Sequence, residues 1–207
     1  MNTITGIEMQ KAQKGRVNLF LDGSFAFSIS IPLVKAAGLQ EGQKLSTIEI
    51  EKLKKAETFQ HSLSSALKFL SPRPRSEAEV RARLRRHGYN MEIIGQVIAK
   101  LKEQNLVDDT VFAKFWRDSR ENFKPRSRRL FEAELRQKGV DAETIAEVAA
   151  SFDDEIGAYK AAQRKASSLK GLDHSSFRKR LGTFLRQRGF PYDLINQTIE
   201  RVWQERR

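Results

Sequence analysis

Apolar or aromatic residues four positions apart, then glycine four positions on, then another such residue, occur three times along the chain. The copies are Val80, Leu84, Gly88 and Tyr89; Phe131, Leu135, Gly139 and Val140; and Leu181, Leu185, Gly189 and Phe190. The glycines lie 51 and 50 positions apart, and a fixed period of that size marks a repeat architecture. Spacing of four puts each pair on one helical face. Glycine one turn later is the residue best suited to end the helix in a left-handed conformation, and the residue after it can pack back over the turn. A second apolar pair follows each glycine: Ile94 and Val97, Ile145 and Val148, Ile195 and Ile199. Each copy therefore predicts helix, glycine stop, helix. The apolar positions and glycines are read as core and turn, which leaves any functional content to the other faces.

The start of the chain has a different period. Val17, Leu19 and Leu21 alternate with other residues, as do Phe25, Phe27 and Ile29, and Asp22-Gly23 between them is a hairpin signal. A small antiparallel sheet is predicted, with Ile4 to Met9 as a third strand, ended by Ile31-Pro32 because proline removes a ladder donor. Pro32 to Ala37 predicts a short helix stopped by Gly38, and Ser46 can cap a helix running through Lys55. From about Thr58 the pattern is helical: His61 to Leu70, then a Ser-Pro-Arg-Pro-Arg break, then Ser76 to Glu79 as a capping box. Asn90, Asp108 or Asp109, Asp141 and Asp153-Asp154 are helix-start signals, and Pro191 suits the first turn of the last helix. The predicted fold is mainly α: an N-terminal β-rich part over 1–57, then three-helix repeats over 58–106, 107–152 and 153–207, stacked into an elongated, slightly curved array.

Charge changes this picture more than composition does. Hydrophobic residues make up 39% of the 207 and charged residues 31%, and no run approaches a membrane-spanning length. The first ten residues lack a basic-then-apolar export pattern. Absence of cysteine excludes disulfides, a thiol nucleophile and Cys-ligated zinc, and fits the cytoplasm. The net charge is +12, which points to a polyanionic partner. Residues 1–60 hold 8 Lys and Arg against 6 Asp and Glu, whereas the remaining 147 hold 30 against 20, so the excess belongs to the repeats. It gathers on the glycine-ended helices and the loops leading into them: Arg73, Arg75, Arg81, Arg83, Arg85 and Arg86; Arg126, Arg128, Arg129, Arg136 and Lys138; Arg178, Lys179, Arg180, Arg186 and Arg188. A basic cluster recurring in each repeat suits an extended, periodic acidic partner, and arginine suits bidentate carboxylate and phosphate contacts. Solvated faces with Glu partners, such as Glu77 beside Arg81, are the competing reading.

No catalytic constellation emerges. His61, His87 and His174 are scattered without metal-ligand spacing, and no phosphate-cradling glycine loop is present. The pairs Asp108-Asp109 and Asp153-Asp154 are explained by capping, and Trp116 and Trp203 fall on apolar stripes as core. The chain reads as a binding protein without catalytic residues, metal or cofactor.

Several segments resemble one family. Arg75-Ser76-Glu77-Ala78-Glu79-Val80 with Leu84 and Gly88-Tyr89, the run Leu106 to Arg117, and Arg128-Arg129-Leu130 through Glu134 to Val140 are similar to the repeats of RecX regulatory proteins, bacterial modulators of the RecA recombinase. The likeness covers residue 60 to the end, and the N-terminal hairpin is similar to an extension on some members. The third repeat departs from the pattern at Thr198, where an aliphatic is usual, and at Gly182, which is expected to interrupt its helix. The resemblance implies a monomeric, non-enzymatic protein. It implies binding along the groove of the RecA–DNA filament and lowering of RecA's ATP hydrolysis, strand exchange and coprotease activity in recombination, DNA repair and the SOS response. The candidate RecA- or DNA-contacting residues are Arg75, Arg81, Arg83, Arg86, Arg126, Arg128, Arg129, Arg136, Lys138, Arg178 and Arg186. A stand-alone DNA-binding protein built from helix-turn-helix-like repeats is the alternative.

Overall fold

The computed structural model describes residues 1–10 and 15–205. Strands β1 (Asn2–Met9), β2 (Arg16–Leu21), β3 (Ser24–Ser30) and β4 (Lys44–Leu45) form one antiparallel sheet in the order β3-β2-β1-β4. Asp22 and Gly23 turn the β2–β3 hairpin at φ 49° and 82°, the doubly left-handed turn that matches strand twist. The helix α1 (Ile31–Ala36) follows, with Pro32 in its first turn. Ile4, Val17, Leu19, Leu21 and Ile29 line the buried face with Leu39, Leu45 and Ile50. The expected third strand is thus an interior strand, and a fourth, too short to show a period, pairs beside it.

Helix α2 runs from Thr47 to Leu70. The sequence pattern predicts two helices here; the structure has one, continuous through 57–58. Ser46 and Glu49 open it with a reciprocal capping box, the Ser46 amide donating to the Glu49 carboxylate at 2.7 Å and the Glu49 amide to the Ser46 hydroxyl at 3.2 Å. Midway, the buried Glu57 accepts from the Ser30 amide at 2.8 Å and pairs with Arg16 at 2.7 Å, tying α2 to the end of the hairpin.

The repeats follow: α3 (Glu77–Arg86) and α4 (Met91–Glu103); α5 (Asp109–Phe123), α6 (Arg128–Gln137) and α7 (Ala142–Ala149); α8 (Asp154–Ala166), α9 (His174–Gln187) and α10 (Tyr192–Gln204). The apolar pairs of α3, α6 and α9 and those of α4, α7 and α10 are all buried, none more than 4% exposed. The chain divides into two compact bodies, one of 1–69 with 83–100 and one of 70–82 with 101–207. In the second body the larger helix–helix packings lie within a repeat: α5 and α6 with α7, and α8 and α9 with α10. Each of these repeats closes its own core, around Phe112, Phe131 and Leu135 in one and Phe177, Leu181 and Leu185 in the other.

The three motif helices end alike. Gly88, Gly139 and Gly189 have φ of 84°, 75° and 83°, and the amides of Tyr89, Val140 and Phe190 return to the carbonyls of Leu84, Leu135 and Leu185. Their surroundings differ. A Cβ on Gly88 would meet open space, whereas one on Gly139 would lie 2.4 Å from the Ala78 Cβ and one on Gly189 2.6 Å from the Ser127 hydroxyl. Gly182 does not interrupt α9: it is buried in mid-helix, and a Cβ there would sit 3.5 Å from Ile199 in ordinary contact.

These sites give opposite expectations in thermal unfolding. Gly88→Ala should cost the left-handed backbone penalty alone, about 1–2 kcal/mol. Gly139→Ala should lower the midpoint further, because Ala78 must also move. Gly182→Ala should raise it, by up to about 1 kcal/mol of helix propensity. Equal losses at Gly88 and Gly139 would show that the close approach carries no energy.

Candidate interaction surface

The basic clusters sit where one repeat's motif helix meets the next. The buried Ser76 hydroxyl accepts from the Glu79 amide at 3.1 Å and donates to the Lys138 carbonyl at 2.7 Å, so the start of α3 abuts the end of α6. At the next joint the Ser127 amide donates to the Arg188 carbonyl at 2.9 Å, and the start of α6 abuts the end of α9. The following repeat supplies a second partner in each case. Asp109 accepts from the Glu77 amide at 2.8 Å, and Asp154 accepts from the Arg128 amide at 2.6 Å. Glu77 and Arg128 occupy the same position, eleven before their glycines. The aspartate pairs therefore divide two tasks. Asp108 and Asp153 cap their own helices, while Asp109 and Asp154 cap the motif helix of the preceding repeat. Burial pushes both carboxyls up in pKa, opposed by the amide each accepts from.

Acidic side chains hold part of the predicted basic surface inward. Glu79 binds Arg73 at 3.1 Å and Lys138 at 2.8 Å, with Arg75 close by. Burial raises the pKa of Glu79, but these two hydrogen-bonded cations outweigh it and hold the group below the usual carboxylate range. Glu134 binds Arg126, takes Arg120 at 2.7 Å, and accepts from the Trp116 indole at 2.7 Å. Lys138 and Arg120 each lie 4.4 Å from the Trp116 ring centroid. Trp116 packs against the repeat core as expected, and it also carries a polar, cationic cluster. Arg81 is bonded to Glu77 at 2.6 Å. Arg128 and Arg136 share Glu132 at 3.0 and 3.2 Å, on the exposed side. Arg178 reaches Glu200 at 3.8 Å. Arg83 stacks on Phe69, 5.6 Å from its centroid.

The remaining candidates, Arg86, Arg129 and Arg186, are exposed and have no ion-pair partner among the described residues. Arg85 belongs with them. Arg85, Arg136 and Arg186 all stand three residues before the glycine, in the last turn of their helices, and all are exposed. That recurrence is legible by aligning the repeats on glycine, the signal that singles out Arg85. The acids that hold the joints, Glu79, Asp109 and Asp154, carry no such signal. Among the described residues no group of three or more His, Asp or Glu is placed to hold a metal, and no helix is long and apolar enough to cross a membrane.

The comparisons with known proteins agree along the whole chain. Family models match for the RecX N-terminal domain over residues 2–46 and for the first, second and third RecX three-helix domains over 63–101, 108–148 and 154–199. A regulatory protein RecX of Bacillus velezensis is 31% identical over 99% of this chain and 79% of its own length. One of Clostridium botulinum is 32% identical over 97% and 96%. A crystal structure of a regulatory protein RecX shares the fold, with a TM-score of 0.67 at 24% identity over 97% of this chain and all of the other.

Glu79→Gln tests the first joint. The lowered pKa means that the carboxylate's contribution is present above about pH 4.5, its ordinary value, and is lost as pH falls through the lower folded value. At pH 7 the variant should lose about 1–3 kcal/mol, since Arg73 and Lys138 are left half-buried without their acid. The gap to the parent protein should narrow in denaturant titrations as pH falls below about 4.5 and through the lower folded value; a gap that stays constant with pH would remove the ion pair as its source.

Proposed function

The chain belongs to the RecX family of regulatory proteins, and from that premise we propose that it regulates the RecA recombinase by binding the RecA–DNA filament. The observation that carries this reading is the exposed arginine in the last turn of each motif helix, Arg85, Arg136 and Arg186, flanked by Arg86 and Arg129. Repeated cations on repeated helices suit a partner that presents acidic groups at intervals, as a polymer of protein on DNA does. Arginine supplies a planar donor fork for carboxylate or phosphate. Arg81, Arg126 and Lys138 contribute differently: Lys138 ties the first joint through Glu79, while Arg81 and Arg126 are held by Glu77 and Glu134 within their own repeats. The protein acts without catalysis, as a cytoplasmic monomer. It restrains RecA's ATP hydrolysis, strand exchange and coprotease activity, and so tempers recombination, repair and the SOS response.

The test is RecA's DNA-dependent ATP hydrolysis on single-stranded DNA as this protein is titrated in. Inhibition is expected, and Arg86→Glu combined with Arg129→Glu should raise the concentration needed by at least about tenfold, about 1.4 kcal/mol, with helical content unchanged by circular dichroism. Inhibition by the parent protein with no change in the double variant would place the contact elsewhere. No inhibition, with tight and sequence-selective DNA binding by this protein alone, would favour a stand-alone DNA-binding role.

A further inference from the structure

The two joints share the packing of a helix start on a helix end but differ in the charges they carry. Nine positions before its glycine, α3 carries Glu79 and α6 carries Leu130. At the first joint Glu79 neutralises Arg73 and Lys138. At the second, Arg126 and Arg188 meet with no acid at the corresponding place. Arg126 turns to Glu134, while the Nε of Arg188 is buried and has no hydrogen-bond partner. Arg188 lies on the Phe184 ring, 3.9 Å from its centroid, and Lys165 of α8 approaches the same ring at 5.8 Å. Lys165 also lines a concavity of about 550 Å3 with Lys179, Arg180, Ser176, Thr183 and Leu169, in which no acidic residue takes part. Ser176, Arg180, Phe184 and Arg188 follow at intervals of four, so joint and concavity share one face of α9.

We propose that this face of the third repeat is a binding track for a nucleic-acid backbone, with Lys165, Lys179, Arg180 and Arg188 supplying its phosphate contacts. Arg180 and Arg188 are eight residues apart, about 12 Å along the helix, enough to reach more than one phosphate of the same strand. A protein partner fits less well, because an interface core needs apolar surface beside its charges, and the one apolar lining residue, Leu169, is 3% exposed. The track reads phosphate and not base sequence. Its binding is therefore sequence-indifferent and salt-dependent. It rests on the nucleic-acid half of the reading above and not on RecA.

The experiment is anisotropy of a labelled DNA duplex of mixed sequence, titrated with the full chain alone over a salt series. Lys179→Ala with Arg180→Ala should weaken binding about tenfold near 0.1 M salt and flatten the log–log salt slope by about 1.8, about 0.9 for each lost phosphate contact. Leu130→Glu, which places at the second joint the acid that the first possesses, should also weaken binding without touching a cation. Lys35→Ala, on α1, should leave the slope unchanged. Unchanged slopes in both track variants would overturn the assignment, as would an equal loss in Lys35→Ala. Displacement of the DNA by polyglutamate with no effect of the track variants would overturn it too, in favour of an acidic protein elsewhere on the surface. Because RecA is absent, these outcomes are separate from those of the ATPase test.

Discussion

A helix leaves its first amides and last carbonyls without partners, and in this protein the neighbouring repeat supplies several of them. The α3 start is completed by Asp109 and the α6 end by Ser76; the α6 start is completed by Asp154 and the α9 end by Ser127. Because the second and third repeats each close a core of their own, apolar burial does not fix how consecutive motif helices meet. Directed hydrogen bonds at helix ends do. They also have polarity, a start always meeting an end, so the peptide dipoles of α9, α6 and α3 oppose opposite partial charges at each joint.

That constraint explains why glycine is needed twice over at two of its three repeated positions. Left-handed backbone alone accounts for Gly88. At Gly139 and Gly189 the helix end must also admit the next helix start to within van der Waals contact, and any side chain would hold them apart. A purely local reading of the motif finds the first reason and not the second, since Ala78 and Ser127 lie some sixty residues from the glycines they touch.

The same distinction separates what the sequence made legible from what it did not. The repeat period, the buried pairs, the hairpin at Asp22-Gly23 and the capping box at Ser76 are local patterns, and each predicted its element. The continuity of α2 was hidden because its apolar pattern fades between Lys55 and His61, while the buried Glu57 that anchors it looks polar in sequence. Trp116 was placed by its apolar stripe, and nothing near it in sequence announces Glu134 or Lys138. The arginine clusters were visible, but not their division. Glu79 and Glu134 decide which cations face inward, and those pairings become visible only when the helices are placed.

The third repeat completes its motif helix differently. Helix α9 is longer than α3 and α6, and Asp173 caps it by accepting from the Ser176 amide. A helix that carries its own cap depends less on a neighbour for its first amides. The consequence extends to charge. At the first joint the acids sit inside, on Glu79 and Asp109, and offset the cations around them. In the third repeat the concavity lined by Lys165, Lys179 and Arg180 has no acidic residue in its lining. The cations of this concavity therefore face one another without an acid in its lining, unlike those of the first joint.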